Sequence, residues 1–346
     1  MKKVCLNTRY GLKVIIMSNI LVTGGCGYVG SNLINFLVRK GHLVRSIDIM
    51  EPVNPIENVE YIKGCICNKD LVDKSLRGID FVYHNAVYIP FLARKKKVYE
   101  VNIVGLTNLL DNCIKNSIQK VIITSSSSVL GKCTKIPIEN NRKSAPKDFY
   151  GKVRSLAESI ALSYVKKGLQ IIIFRPHLII GSGREGVFGN VFKKITQGKN
   201  LWLPKSIKYF HQLVNIEDFV DALWRALDYS QSDIFNIGGE TNFTLEELIM
   251  DSISRIESKS KIKIIPHVFF KFSELIDNLF GYSLFGAHGI LTFRNGFVFE
   301  NSYIREKLSW NPRYSDYETW IDCYDSYLIK HCDQVSRHSG IFTNSK

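Results

Sequence analysis

Three observations predict a doubly wound α/β fold, a parallel sheet covered on both faces, with a smaller C-terminal α/β domain appended. From Asn19 onward short apolar runs alternate with helical stretches of about ten to fifteen residues, the rhythm of βαβ units. The first apolar run closes in the glycine-rich segment TGGCGYVG, Thr23 to Gly30, a tight passage from strand to helix. The chain has 346 residues, 45% hydrophobic and 23% charged, enough for one large domain and a smaller companion.

Each element follows from its own pattern. NILVT is a short apolar strand, and Gly30 to Lys40 is a helix with Leu33, Ile34, Leu37 and Val38 on one face. HLVRSIDIM, VEYIKG and DFVYHNA supply the second, third and fourth strands. TNLLDNCIKN is a helix, KVIITSSS the fifth strand, Tyr150 to Lys167 a helix and LQIIIFRP the sixth strand. After Pro176 the rhythm loosens. HLIIGSGREGVFGN is a glycine-rich loop leading to a helix that ends at Thr196, and HQLVNIEDFVDALWRALDYS is a strand followed by an amphipathic helix. IFNIGG is a further strand. TLEELIMDSISRI is a helix opened by Thr244, with Glu247 three residues later at capping-box spacing. The apolar stretch from Val268 to Phe299 is expected to wall a substrate domain. The expected divisions are an extension outside the fold at 1–17 and a cofactor-binding domain at 18–185. A mainly substrate-binding part follows at 186–330, with some segments returning to the sheet, and then a polar tail at 331–346.

The net charge of +14 admits a nucleic-acid binder, an enzyme for phosphorylated ligands or a lysine-rich composition. The one dense basic run is Arg94 to Lys97, with no aromatic-interleaved stripe beside it, so no nucleic acid is expected. The eight cysteines lack zinc-site spacing, so no metal is expected, and the chain is long enough to fold without disulfides. A reducing cytoplasm fits. No long apolar run is free of charge, so no transmembrane segment is expected.

Gly24, Gly27 and Gly30 sit where a dinucleotide site needs them, between first strand and first helix. Gly24 permits the tight turn, Gly27 lets a pyrophosphate approach the backbone, and Gly30 lets helix pack on strand. Helix N-terminal N–H groups then hold the phosphates. Asp48 ends the second strand, where a carboxylate accepts the adenosine ribose hydroxyls and repels a 2′-phosphate. No basic residue stands between 49 and 54, which favours NAD over NADP. The fifth strand ends in Thr124 to Ser128 at the ligand-binding edge, where a serine hydroxyl and the Tyr150 phenol can converge on one substrate oxygen. Tyrosine is a poor base at an ordinary pKa of about 10, and a cation at i+4 lowers it. Arg154 stands there.

With these residues in place the chain resembles the extended short-chain dehydrogenase/reductase superfamily, specifically its NAD-dependent epimerase/dehydratase group, over roughly residues 19–325. The matching pieces are TGGCGYVG, DFVYHNAV, VNIVGLTNLL, TSSSSVLG, YGKVRSLAE, FRPHLIIGSG, VNIEDFVDAL and FNIGG. The resemblance implies Tyr150 as general acid/base, Ser126 as its hydroxyl partner, and Arg154 on the family's lysine position. It implies cofactor contacts from Gly24, Gly27, Tyr28, Val29, Gly30, Asp48, Ile66, Ala86, Tyr150 and Arg154, with Asn85 beside Ala86. Ser127, Arg184 and His211 are implied on the substrate side, Asn102 in a structural role, and a homodimer through a helix pair.

Four departures shape the expectation. Arg154 keeps the charge of the family lysine but is longer and planar, and Lys152, two residues round the helix, cannot replace it. Cys65 replaces an aspartate near the adenine. Ser127 and Ser128 stand where family dehydratases carry two carboxylates, which ranks an epimerase or simple oxidoreductase above a dehydratase. His211 and Gln212 replace an arginine that grips a sugar-nucleotide diphosphate, with Arg184 and Lys208 as substitutes. The expected function is NAD-dependent epimerisation or oxidation of a nucleotide sugar. A 3β-hydroxysteroid-dehydrogenase-like enzyme on a hydrophobic alcohol and a non-catalytic NAD-binding protein are the alternatives.

Overall fold

The structure, a computed structural model, describes residues 2–8, 11–89, 95–133, 135–265 and 296–331. The N-terminal extension pairs with itself: β1 (Lys2–Thr8) and β2 (Gly11–Met17) form an antiparallel sheet separate from the main one. The main sheet begins at β3 (Asn19–Thr23), whose last four residues are all buried, as a strand covered on both faces requires. α1 (Tyr28–Arg39) buries Leu33, Ile34 and Leu37 against it, with Val38 packed at the margin. Then come β4 (Leu43–Asp48), β5 (Val59–Lys63), α2 (Lys69–Ser75) and β6 (Phe81–His84). α3 (Lys95–Tyr99) runs through a π-helical segment, Glu100–Gly105, into α4 (Leu106–Lys115), followed by β7 (Lys120–Thr124). α5 (Phe149–Ser163) is opened by Asp148, whose carboxylate accepts the Gly151 N–H at 2.7 Å. β8 (Gln170–Pro176) and the short β9 (Leu178–Ile180) complete the first part.

Beyond them lie α6 (Gly189–Thr196), β10 (Leu201–Pro204), β11 (Leu213–Asn215), α7 (Ile216–Arg225) and β12 (Asp233–Ile237). α8 (Leu245–Arg255), β13 (Ile262–Ile265), α9 (Ser302–Leu308) and α10 (Asp316–Lys330) close the described chain. The capping box read at Thr244 and Glu247 is formed, and a second, Ser315 with Glu318, opens α10.

The seven strands run in the order β12-β8-β7-β6-β3-β4-β5, every pairing parallel. The chain leaves β3 toward β4 and β5, then returns to β6 on the other side. This reversal opens a crevice beyond the carboxyl ends of β3 and β6. α1 and α7 pack one face and α2, α4 and α5 the other. A further core around Phe188, Phe192, Leu248, Trp320 and Tyr324 holds α6, α8 and α10 together. Buried Lys120 at the start of β7 donates to the carbonyls of Ala226, Leu227 and Tyr229, closing the C-terminal end of α7. Of the apolar stretch at 268–299, residues 268–295 lie outside the described residues. Its end brings Phe297 and Phe299 into a small core with Val129, Leu130 and Ile138.

Candidate active site

The glycine turn lies at the crevice. Gly24 adopts φ +71° and its Cα faces the backbone of Asn85 and Ala86, where a β-carbon would sit 2.7 Å from the Ala86 nitrogen. Gly27 is exposed, and a β-carbon there would meet only the Gly24 carbonyl. The backbone at Gly27 therefore has room for a phosphate at the N-terminus of α1. Asp48 is fixed at the end of β4, one carboxylate oxygen accepting the Cys26 N–H and the other the Met50 N–H, each at 2.9 Å. Tyr28 donates its hydroxyl to the Ser182 carbonyl, and Val29 packs at the edge of the α1 core. Ile66 is buried against Gly105 at the π-helical segment, while the Cys67 N–H reaches the Cys65 sulfur at 3.4 Å. Burial and the neighbouring Cys65 push the Cys67 thiol up to about 12, so it stays protonated.

Tyr150, Arg154 and Glu158 recur every four residues and are all buried on one face of α5. Glu158 anchors that face. It accepts Arg175 Nε at 3.0 Å and Nη2 at 2.6 Å, and Ser125 Oγ donates to it at 2.5 Å. Close approach at the other end is set by Gly151, where a β-carbon would lie 2.6 Å from the Ser128 carbonyl. Tyr150 is thereby held against the turn that begins at Ser126. Arg154 is 1% exposed and donates Nη2 to the Thr124 carbonyl at 2.5 Å, while its Nε has no partner among the described residues. Lys152, as its spacing requires, faces solvent.

The electrostatics correct one expectation. Arg154 and Arg184 do pull the Tyr150 phenol down, but burial of the ring outweighs them, and its pKa stands above the ordinary value. Arg184 is half-buried against the Tyr28 ring at 5.1 Å and acts on both tyrosines. Next to Arg154 lies His84, fully buried, with Nδ1 2.9 Å from Thr23 Oγ1. Burial, helped by the Arg154 charge, pulls its imidazole down to about 3, so it is neutral at physiological pH.

The serine run is spread over three anchors. Ser125 reaches Glu158. Ser126, in extended conformation, accepts the Ser128 N–H at 3.2 Å. Ser127 Oγ lies 3.0 Å from His177 Nδ1. Thr124 Oγ1 donates to Asn85 at 2.6 Å, and the amide of Asn102 clasps the backbone of Tyr88 on both sides, as a structural residue would. His211 is fully buried, its ring stacked 6.1 Å from that of His177. Lys208 pairs with Glu246 at 3.4 Å on the surface. From the sequence alone no role follows for Arg175 and His177 in FRPHLIIGSG or for Glu158 in YGKVRSLAE. Their signal is the register of β7 against β8, which no local pattern carries.

A glycine turn at the crevice, a fixed carboxylate ending β4 and a buried tyrosine–cation pair on α5 define a dinucleotide-binding protein of the short-chain dehydrogenase/reductase type. The chain belongs to the NAD-dependent epimerase/dehydratase family, whose model matches residues 20–238. UDP-glucose 4-epimerase of Vibrio cholerae is 25% identical, covering 85% of this chain and 90% of that protein. The bovine (Bos taurus) decarboxylating sterol-4-alpha-carboxylate 3-dehydrogenase is 27% identical, covering 66% of this chain and 65% of that enzyme. Among solved structures, UDP-glucose 4-epimerase of Thermotoga maritima with UDP-glucose shares the fold with a TM-score of 0.75. It is 21% identical, and the match covers 91% of this chain and 99% of that one. NAD is the cofactor of the family, and the open backbone at Gly27 with the fixed Asp48 carboxylate fits it.

Proposed function

We propose that the chain is an NAD-dependent enzyme acting on a secondary alcohol of a nucleotide sugar, as an epimerase or an oxidoreductase. The reading is carried by the buried stripe of Tyr150, Arg154 and Glu158, locked beside the serine turn at the carboxyl edge of the sheet. Tyr150 takes the substrate hydroxyl proton, and Ser126 holds the same oxygen by a hydrogen bond. Arg154 supplies the fixed charge that opposes the cost of a buried phenolate. Gly24, Gly27, Gly30 and Asp48 hold the cofactor, with Tyr28, Val29, Ile66 and Ala86 along its length. NAD supplies the hydride acceptor.

The nucleotide-sugar reading is supported by the Vibrio cholerae relative, matched over nearly its whole length, whereas the sterol enzyme is matched over two thirds. Arg184, half-buried beside Tyr150, supports a place for a diphosphate. The sterol relative, with buried Phe297 and Phe299 near the serine turn, favours a hydrophobic alcohol as the second reading. Exposed Ile114, Leu156 and Leu162 on α4 and α5 support a homodimer through those helices, and free thiols at Cys26, Cys65, Cys67, Cys113, Cys133 and Cys323 support a reducing cytoplasm. No helix among the described residues is long and apolar enough to cross a membrane.

The test is to denature purified protein, identify what it releases by mass spectrometry, and assay UDP-glucose against UDP-galactose. Retained NAD together with interconversion of the two sugars is the expected result for an epimerase. NADH accumulating with a 3β-hydroxysteroid, and no action on either sugar, would overturn the nucleotide-sugar reading.

A further inference from the structure

The turn after β5 carries two thiols that the chemistry above leaves unused. Cys65, Ile66, Cys67 and Asn68 form a reverse turn closed by the Asn68 N–H on the Cys65 carbonyl at 2.9 Å, so the cysteines are its first and third residues. Both are half-buried. Cys65 folds its side chain back over the turn, where its sulfur accepts the Cys67 N–H at 3.4 Å, and the two thiols are hydrogen-bonded to each other. The turn is pinned in place. Ile66 is buried against Gly105, the Cys67 thiol donates to the Glu100 carbonyl at 3.6 Å, and Asn108 Nδ2 donates to the Cys67 carbonyl at 3.0 Å. The turn also abuts the cofactor side of the crevice. Lys63 on β5 lies opposite Asp48 on β4, and the Gly64 N–H bonds to the Asp48 carbonyl at 2.8 Å. Cys65 thus stands two residues beyond the partner of the carboxylate proposed to hold the adenosine ribose.

We propose that Cys65 and Cys67 are a dithiol site for a low-molecular-weight disulfide of the glutathione type, which converts them to an internal disulfide and loosens NAD. The Cys67 thiol is held protonated, so the opening attack falls to Cys65. Its sulfur bonds to one sulfur of the small disulfide, whose S–S bond breaks, and the Cys65 proton goes to the departing thiolate. The Cys67 sulfur then bonds to that of Cys65 and displaces the second small thiol, to which its own proton passes. Two electrons leave the protein thiols and reduce the small disulfide to two thiols. Closure takes place inside one turn, so it needs no second encounter. A ring closed by cysteines two residues apart is strained, and strained disulfides are the readily reduced ones, so the change reverses when reductant returns. The new bond re-aims the Cys65 sulfur beside Asp48, which couples oxidation to NAD binding by the same factor in both directions. The inference rests on NAD binding at Asp48 and is independent of the substrate.

The experiment equilibrates the full chain with graded mixtures of reduced and oxidised glutathione, quenches with N-ethylmaleimide in denaturant, and digests with trypsin. Cleavage after Lys63 and Lys69 gives one peptide, 64–69, that holds both cysteines. As oxidised glutathione rises, this peptide is expected to lose two hydrogens instead of gaining two labels, whereas Cys67→Ser should stop at a glutathione adduct on Cys65. By calorimetry, NAD should bind about tenfold more weakly to the oxidised protein and recover with dithiothreitol. Saturating NAD should raise by about tenfold the quotient of oxidised over squared reduced glutathione at half conversion. A peptide with both thiols labelled at every ratio, a disulfide to Cys26 instead, or an internal disulfide that leaves NAD affinity unchanged would overturn the inference, and none of these touches the proposed function. Redox-sensitive NAD binding in a protein inert toward UDP-glucose would bear out the inference and sink the nucleotide-sugar reading.

Discussion

Replacing Arg154 with methionine separates what the cation does for the chemistry from what it does for the fold. Residues at i and i+4 place their β-carbons about 5–6 Å apart. At an effective dielectric near 20, a unit charge about 6 Å away favours a phenolate by about 2.8 kcal/mol, about 100-fold in an equilibrium constant. Burial already holds the Tyr150 phenol above its ordinary value, with Arg154 as the foremost opposing influence. Arg154→Met should therefore lower turnover at pH 7 by about 100-fold and move the rising limb of the pH–rate profile to higher pH. Stability should change much less. The variant loses the bond to the Thr124 carbonyl but also relieves a buried guanidinium whose Nε is unsatisfied, a net change within about 2 kcal/mol. Arg154→Lys keeps the charge and should stay within about tenfold of wild type. The assay is turnover from pH 6 to 10 beside urea midpoints for the three proteins. A limb that does not move in Arg154→Met, or equal losses in the lysine and methionine variants, would refute the electrostatic role.

Three further outcomes follow from buried polar groups. His84 is held at about 3 in the fold against an ordinary 6.5, so the unfolded chain binds a proton that the folded chain refuses. Stability is full above the ordinary value and declines as pH falls toward 3, by about 2 kcal/mol between pH 7.5 and 5. Urea midpoints at those two pH values should show that loss in wild type and much less of it in His84→Asn. Glu158→Ala strands the Arg175 guanidinium in the interior and should cost about 3–5 kcal/mol, much of it recovered when Arg175→Met is added, as read by thermal unfolding. Lys120→Met leaves the carbonyls of Ala226, Leu227 and Tyr229 without their donor, which should cost about 1–3 kcal/mol and speed amide exchange at the end of α7.

The fold was legible because buried parallel strands have a local signature. Leu21 and Val22, or Ile171 to Ile173, must be apolar on both sides, so each strand appears as an unbroken run wherever it ends up in the sheet. The cofactor turn was legible for a similar reason: strand, turn and helix are contiguous. The pKa of Tyr150 was not. Its nearby cation is four residues away and can be counted, but the burial that outweighs it is contributed by chain from several distant elements. The N-terminal strands were missed because a two-stranded sheet outside the core needs no hydrophobic period to announce it.

Most of the remaining site follows from one number that local pattern cannot supply, the register of β7 against β8. Thr124 pairs with Phe174, an offset of 50 along the chain. Carried one residue further, that offset brings Ser125 beside Arg175, and both are held by Glu158. Just past the strand ends, Ser127 in the 3-10 turn after β7 meets His177 after β8 by a hydrogen bond at the same separation of 50. A one-residue slip between these strands would turn every side chain to the opposite face. Ser125 would lose Glu158 and Ser127 would lose His177 together, while the glycine turn and Asp48 were untouched. The proposed cofactor contacts and the proposed substrate side are thus set by different physics in this chain, the first by contiguous backbone and the second by the registration of two strands.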